Sequence, residues 1–537
     1  MDLFSLQGDA SARSARADSF EPDAMSLKDA LREIRQPLYL QKKGARLVPH
    51  LGSAEELTSV AGYAPACLPE NLGEPSFCRE IGIRYPYLGG SMAKGISSAA
   101  MAEELGRAGM LGFFGAAGLP IATVAETADR LKASLGDIPY GFNLIHSPHE
   151  PELEKELAEL YIRKGVRIIE ASAFLGLTLP LVRYRLHGIS RAADGSIVTP
   201  NRIIAKVSRE ELAAKFFAPA PEKLLRALVE NGSLTPEQAE LAAHIPLAQD
   251  VTAEADSGGH TDNRPAMALF PTILSLAARL ERQYGYDCRL RVGLGGGIST
   301  PASCAAAFAM GAAYVMTGSV NQACVESGTS DTVRALLAGT RQADVTMAPA
   351  ADMFEMGVTV QVLKRGTMFP MRAAKLYEIY RAYGSLEEIP AAEREKLEKT
   401  MFLAPLDEIW RGTRDYFSKR DPSQVERSER DPKHKMALVF RWYLGMGAHW
   451  AKDGVENRKM DYQVWCGPAM GAFNEWTAGS FLETPAERRI VTVALNILHG
   501  AAHLTRANFL RAQGLELRQE EIAPQPLDIA QIKEYLC

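Results

Sequence analysis

The chain has 537 residues, 47% of them hydrophobic and 23% charged, with 44 glycines and 30 prolines; these are globular proportions and exclude whole-chain disorder or a fibrous, low-complexity protein. Its net charge of −5 and pI near 6.1 argue against a surface given over to nucleic-acid phosphates. Seven scattered cysteines (Cys67, Cys78, Cys288, Cys304, Cys324, Cys466, Cys537) form no CxxC and no Cys/His group at metal-ligand spacing, so neither a disulfide framework nor a structural zinc is expected.

Residues 1–20 lack the apolar core of a secretory leader and read as an N-terminal tail. The rest of the extension, to residue 84, is loop-rich, with Pro65, Pro69 and Pro75, and is expected to add small strands that cover the bottom of the fold that follows. From Tyr85 to Ser319 one rhythm repeats. A short apolar run ends in a glycine, a small polar residue or a charge, and a helical stretch follows. The runs are Tyr85–Met92, Met110–Ala116, Tyr140–Ile145, Arg167–Phe174, Arg202–Val207, Asp250–Asp256, Arg291–Gly297 and Tyr314–Ser319. Helical patterns at Ala99–Ala108, Ala122–Leu135, Glu152–Lys164 and Pro301–Met310 lie between them. Strands alternating with helices make parallel βαβ units. Eight such strands predict an α/β protein built on a closed (β/α)8 TIM barrel over residues 85–345.

Ser208–Gln249 is too long for one crossover helix. It predicts a helical insertion, with a helix start at Thr235-Pro236, folded as a cap over the barrel mouth. Ala302–Val320 is weakly polar, but it is rich in Ala, Gly and Met and is broken by Gly311. It reads as a buried helix and strand rather than a membrane span, so a soluble cytoplasmic protein is expected. Beyond about residue 350 no strand pattern recurs. Residues 346–537 read as a helical region, with patterns at Arg372–Tyr383, Ala391–Met401, Pro432–Leu444, Pro485–Leu498 and Asp528–Tyr535, and hold all five tryptophans. The charged run Lys419–Lys435, broken twice by Asp-Pro, reads as a solvated loop.

Three loops carry candidate chemistry. After the seventh strand stands Gly293-Leu-Gly-Gly-Gly-Ile-Ser-Thr-Pro301, and the eighth strand ends in Thr317-Gly318-Ser319. Glycine lets backbone N–H groups approach an anion closely, and barrels commonly bind phosphate with the loops after strands 7 and 8 and a short helix N-terminus. After the sixth strand comes Glu254-Ala-Asp-Ser-Gly-Gly-His260. His260, behind Gly258 and Gly259, has room to reach the catalytic face, where an imidazole exchanges protons near neutral pH. After the first strand, Gly89-Gly-Ser91-Met92-Ala93-Lys-Gly95 is small enough for a flat ring to lie against the backbone. Asn143 and Lys206 end the third and fifth strands on the same face. His499 and His503, one helical turn apart, have no carboxylate or Cys near them in sequence and read as packing residues rather than a metal pair. His146 and His149 flank a Pro-containing loop.

Together GSMAKGISSAAMAEELGRAGMLGFFGAAG, GFNLI, the SGGH loop, GLGGGISTPASCAAAFAMGAAYVMTGS and ESGTSDTV resemble the nitronate monooxygenase / FMN-dependent enoyl-reductase superfamily. Within it, EADSGGHTDNRP and the long helical C-terminal region resemble the PfaD family, the trans-acting enoyl reductases of polyunsaturated fatty acid and trans-acyltransferase polyketide synthases. The resemblance implies FMN, with NAD(P)H (NADPH expected) as hydride source, and an acyl carrier protein as partner of a homodimer that binds neither nucleic acid nor membrane. It implies that Met92 and Ala93 back the isoalloxazine, that Asn143 and Lys206 touch its polar edge, and that Gly296, Gly297, Gly318 and Ser319 hold the phosphate. Ser91, Gly258, Gly259 and Thr317 complete the expected cofactor-binding set, and His260 is the expected catalytic residue. Asp256-Ser257 and Thr261-Asp262-Asn263 depart from the monooxygenase pattern, which favours the reductase branch. Nitronate oxidation and a non-catalytic assembly role are the alternatives.

Overall fold

The computed structural model describes residues 25–44, 46–55, 57, 59–146 and 151–536. The tail read at residues 1–20, His149 and Cys537 lie outside the described residues. Strands β1 (Leu38–Lys43), β2 (Arg46–Leu51) and β3 (Gly62–Ala64) form an antiparallel sheet ahead of the barrel. Contrary to the expectation from sequence, this sheet does not cover the barrel bottom. Its Leu38, Leu40 and Ala64 pack instead with Ala507, Leu510 and Ile522. The bottom is closed by helix Pro75–Ile81, whose Phe77, Cys78 and Ile81 cluster with Leu88, Leu111 and Ile204 of the barrel interior. A helix with three apolar groups on one side fills a round opening better than a flat three-stranded sheet does, and Phe77 stacks on Tyr314 with centroids 4.3 Å apart.

The barrel itself follows the sequence pattern. Its strands are β4 (Tyr87–Gly89), β5 (Leu111–Phe114), β6 (Gly141–Ile145) and β7 (Ile168–Ser172). A small hairpin, β8 (Ser190–Arg191) and β9 (Ile197–Val198), follows, and then β10 (Arg202–Val207) and β11 (Asp250–Glu254). The two-residue β12 (Gly259–His260) precedes the last barrel strands, β13 (Arg291–Gly295) and β14 (Val315–Thr317). The barrel strands pair in parallel in chain order, and β14 closes the ring on β4 with Thr317 beside Gly89. Helices on the outside and packed side chains inside bury both faces of each strand, which is why these segments are near-continuous apolar runs.

Three expectations about the connecting and C-terminal segments are corrected. The insertion forms helices Glu210–Phe217, Glu222–Glu230 and Pro236–Ala242. Only its first helix reaches the mouth, where Leu212 and Lys215 border a cavity with His260; the third lies elsewhere, with Gln238 Nε2 donating to Ile189 O beside β8 (3.3 Å). The chain has to travel back to the N-terminal end of the barrel to begin β11 at Asp250, so the extra helices lie along that return path. Strand structure also continues past residue 345: β15 (Val345–Pro349) and β16 (Thr359–Leu363) form a hairpin, and β12 pairs with β16. Finally, Lys419–Lys435 is helical rather than a loop. Helices Leu406–Arg420, Pro422–Arg430 and Pro432–Asp453 succeed one another at Asp421 and Asp431. Each Asp caps the following helix through its carboxylate, and each Pro occupies the first helical position, where its missing N–H costs nothing. The Asp-Pro pairs are helix starts.

Residues beyond 346 divide mainly between two cores, with Ala507, Leu510 and Ile522 joining the cluster under the N-terminal sheet. Phe354, Val360, Phe369, Phe402, Phe440 and Leu444 form one. Helix Ile490–Ala512 belongs to the other, against the barrel, with Gly500 so close to Pro301 that a Cβ there would lie 2.5 Å from its Cγ. Among the described residues no helix is long and apolar enough to cross a membrane.

His499 and His503 on that helix are packing residues. Their Nε2 atoms bond the carbonyls of Arg32 (3.0 Å) and Ile522 (2.9 Å). Burial pushes His499 down to about 4 and, with the neighbouring His499, pushes His503 down to about 3. The unfolded chain therefore takes up protons at these sites that the native chain refuses. Stability is level above about pH 6.5 and falls as pH drops toward 4, by about 1 kcal/mol per histidine at pH 5.5. Thermal melts between pH 7.5 and 5 should show this fall, and His503→Gln should remove about half of it.

Candidate active site

The C-terminal ends of β4, β10, β11, β13 and β14 open on one cavity. Ser91, Met92, Lys206, Gly258, Gly296, Gly297, Thr317, Gly318 and Ser319, all singled out in the sequence, line it. One end is a glycine cradle whose geometry suits an anion. Gly296 and Gly297 both have φ +79°, a left-handed turn that aims successive N–H groups the same way. Among the described residues the N–H groups of Gly296, Gly297 and Ile298 have no protein acceptor. A Cβ built on Gly297 or on Gly318 would meet nothing within 4 Å. The Ser299 hydroxyl is buried without a partner. A buried hydroxyl without a partner, beside three N–H groups without a protein acceptor and bordering open space, suits a charged acceptor.

The C-terminal region closes this cradle, which the sequence reading did not foresee. Trp465, Gly467 and Ala469 line the same cavity, and Gly467 N–H donates to Ser319 Oγ (3.0 Å). A Cβ on Gly258 would lie 2.9 Å from the Cys466 backbone N, and a Cβ on Gly467 would lie 3.0 Å from Gly258 N. Two glycines thus let the 465–469 segment lie directly on the SGGH loop.

At the other end stands a charge cluster. Lys206 Nζ lies 3.1 Å from Glu170 Oε1 and 3.4 Å from Glu254 Oε1. Glu170 is fully buried and also accepts from Ser91 N–H (3.0 Å), Ser91 Oγ (2.5 Å) and Ser172 Oγ (3.2 Å). Burial opposes the ammonium, but the two carboxylates outweigh it and hold the Lys206 pKa above its ordinary range. Lys206 is therefore not an uncommitted cation: its charge is already offset by Glu170 and Glu254. Glu170 was not singled out from the sequence; a charge near the end of the Ile168–Ser172 strand, on the catalytic face, was the signal that could have found it.

Lys206 and Glu254 also border a second, adjoining cavity, which holds His260 with Phe174, Leu212 and Met353. His260 Nε2 lies 3.2 Å from Asp352 Oδ1, in the turn between β15 and β16. Burial lowers the imidazole pKa, but the Asp352 carboxylate raises it more, and the net shift is above the ordinary histidine value. Gln361 on β16 donates from Nε2 to Asp256 Oδ1 and Ser257 O, both at 2.7 Å, fixing the other end of the loop.

Three expected cofactor residues stand apart from the cradle. Asn143 does not line the cavity; its Oδ1 accepts from Ala117 N–H (3.0 Å). A carboxamide at a buried strand end meets a nearby unpaired backbone N–H, and that need is satisfied first. Ala93 and Gly259 do not line the cavity either; Gly259 is taken up in pairing with Gln361. Among the described residues no group of three or more His, Cys, Asp or Glu is arranged to hold a metal ion.

Residues 383–462 match the family model of the inserted helical domain of [acyl-carrier-protein] S-malonyltransferase. The chain is 48% identical over 509 residues to one of the polyunsaturated fatty acid synthase subunits of Thraustochytrium sp., covering 93% of this chain and 34% of that protein. It is 42% identical over 471 residues to the polyketide biosynthesis protein PksE of Bacillus subtilis, covering 87% of this chain and 60% of PksE. It thus spans about a third of the first relative and under two thirds of the second. The crystal structure of the enoyl reductase domain of MlnA, from the macrolactin biosynthesis cluster of Bacillus amyloliquefaciens, superimposes with a TM-score of 0.79 at 41% identity, over 83% of this chain and 100% of that one.

Proposed function

The chain belongs to the PfaD-like family of trans enoyl reductases, and on that premise we propose that it reduces carrier-bound 2-enoyl thioesters of polyketide or polyunsaturated fatty acid assembly, with FMN as cofactor and NAD(P)H as hydride source. The observation that carries the reading is the meeting of the two glycine turns and His260 on one barrel face, joined by Lys206 and Glu254, which border both cavities. The residues fit the cofactor: the cradle suits a phosphate, and Ser91 and Met92 offer a small-residue shelf for a flat ring. FMN, when bound, supplies hydride transfer between the nicotinamide and the β-carbon of the enoyl group. The chain's own part is positioning and proton supply. The N–H groups of Gly296, Gly297 and Ile298 bind the phosphate, aided by Gly318 and the helix start at Ser319. The Glu170–Lys206–Glu254 cluster sets the charge beside the ring. Segment 465–469 keeps water from the cradle. His260, whose charged form the Asp352 carboxylate favours, donates the proton that the α-carbon requires.

The purified protein should carry a flavin spectrum or take up FMN on titration, and should consume NAD(P)H when given a 2-enoyl thioester. A colourless protein that refuses FMN overturns the reading. Oxygen uptake with an alkyl nitronate, without enoyl reduction, selects the monooxygenase alternative.

A further inference from the structure

The β15–β16 hairpin touches both ends of the SGGH loop. Its Gln361 holds Asp256 and Ser257, and its turn presents Asp352 to His260. The register places His260 opposite Val360 and Gly259 opposite Gln361, so the imidazole leaves the backbone at a fixed point beside the turn. The turn is itself pinned from the far side. Arg441 on helix Pro432–Asp453 donates from Nε to Ala351 O (2.9 Å) and pairs with Glu355 (3.3 Å). His434 on the same helix bonds Glu355 Oε1 through Nδ1 (2.8 Å). A carboxylate presented by a braced turn to one nitrogen of an imidazole has the geometry by which acid–base enzymes orient a histidine.

We propose that Asp352 is the positioning residue of His260: it holds the imidazolium by Nε2, leaving Nδ1 to deliver the proton to the substrate α-carbon. This rests on the enoyl-reductase reading. In the step, hydride from the nicotinamide-derived reductant forms the new β-carbon C–H bond. The α-carbon electron pair then takes the proton from His260 Nδ1, and the second C–H bond forms as the N–H bond breaks. The imidazole becomes neutral, with its remaining proton still on Nε2 toward Asp352, and solvent restores the lost one. The charged groups facing the pair act in the same sense on balance. Glu254 from β11 favours the imidazolium and Lys206 from β10 opposes it. Arg441 favours the Asp352 carboxylate, and Asp262 on the same loop is occupied by Arg209 (2.8 Å).

The test uses full-length holoenzyme with a 2-enoyl thioester and compares wild type, Asp352→Asn and Asp352→Glu. Activity needs charged His260, so it declines as pH rises through the His260 pKa. Asp352→Asn should move that descending limb about one pH unit lower, with kcat reduced and KM for NAD(P)H unchanged. Asp352→Glu should restore most of the limb. Independently of turnover, the His260 ring signal, assigned by its loss in His260→Gln, should titrate at lower pH in Asp352→Asn. A limb and a ring titration that both stay put overturn the proposal. A ring that shifts while the limb stays put also overturns it, since His260 then pairs with Asp352 without supplying the proton. A wild type that never reduces enoyl thioesters, yet whose ring titration shifts, overturns the reaction and upholds the pair.

Discussion

Gly297→Asp is expected to weaken FMN binding by about a thousandfold while leaving the fold intact. The space is there: a Cβ at this position meets nothing within 4 Å. The backbone is not an obstacle of the same size. At φ +79° a non-glycine residue pays on the order of 1 kcal/mol, and Asp and Asn tolerate this region better than most residues. The new carboxylate would point into the cradle proposed for the phosphate. At about 4 Å and an effective dielectric of about 20, the repulsion is about 4 kcal/mol per unit charge, or about a thousandfold in Kd. Gly297→Asn keeps the shape and the strain without the charge, so it should bind FMN within about tenfold of wild type. Titration of apoprotein followed by absorbance, with a thermal melt of each variant, separates charge from folding. Stoichiometric flavin in the Asp variant would mean that the glycine turn is not the phosphate site.

Lys206→Met should cost about 3–5 kcal/mol of stability, a far larger effect than loss of a surface ion pair. Glu170 is fully buried and Lys206 is its cationic partner; without it, that carboxylate keeps only the hydroxyls and N–H of Ser91 and Ser172 and faces Glu254. An isolated buried charge is expensive because neither water nor a counter-ion offsets its desolvation. The Lys206→Met/Glu170→Gln pair should recover much of the loss, since the amide still accepts from Ser91 and carries no charge. Denaturant midpoints of wild type, both single variants and the double variant measure the coupling. A single variant within about 1 kcal/mol of wild type would show that the three charges are not coupled.

The two predictions probe opposite ends of one cavity, and the structure joins those ends through parts of the chain far apart in sequence. The glycine turns come from barrel loops. The wall over the cradle comes from residues 465–469, and the carboxylate beside His260 comes from a hairpin turn at 350–358. The helical region thus acts on the site from two sides, pinning the hairpin through Arg441 and His434.

How much of this was legible beforehand depends on the range of the interaction that decides each feature. The barrel was legible because parallel strands buried on both faces must be short apolar runs, and because crossover helices must separate them. Both demands are local and recur eight times between Tyr85 and Ser319. The glycine turns were legible for a related reason: a backbone that turns at positive φ needs glycine where Gly296 and Gly297 stand, whatever surrounds them. Local chemistry misled at Lys419–Lys435, where Asp-Pro marks a helix start as readily as a loop.

The remainder was decided by contacts between segments tens of residues or more apart, which no spacing in the chain encodes. Asn143 ends its strand at the correct face, yet the Ala117 N–H claims it. Lys206 was readable as a buried cation, but its two carboxylate partners depend on how β7, β10 and β11 meet. Asp352 lies 92 positions from His260 and reaches it because β16 pairs with β12. By itself the sequence determined the ring of strands, the glycine turns and the histidine on their shared face, since each follows from the conformational needs of neighbouring residues. Which charge sits beside which, and what covers the mouth, were decided only by tertiary packing, because electrostatic and hydrogen-bond partners are chosen by distance in space.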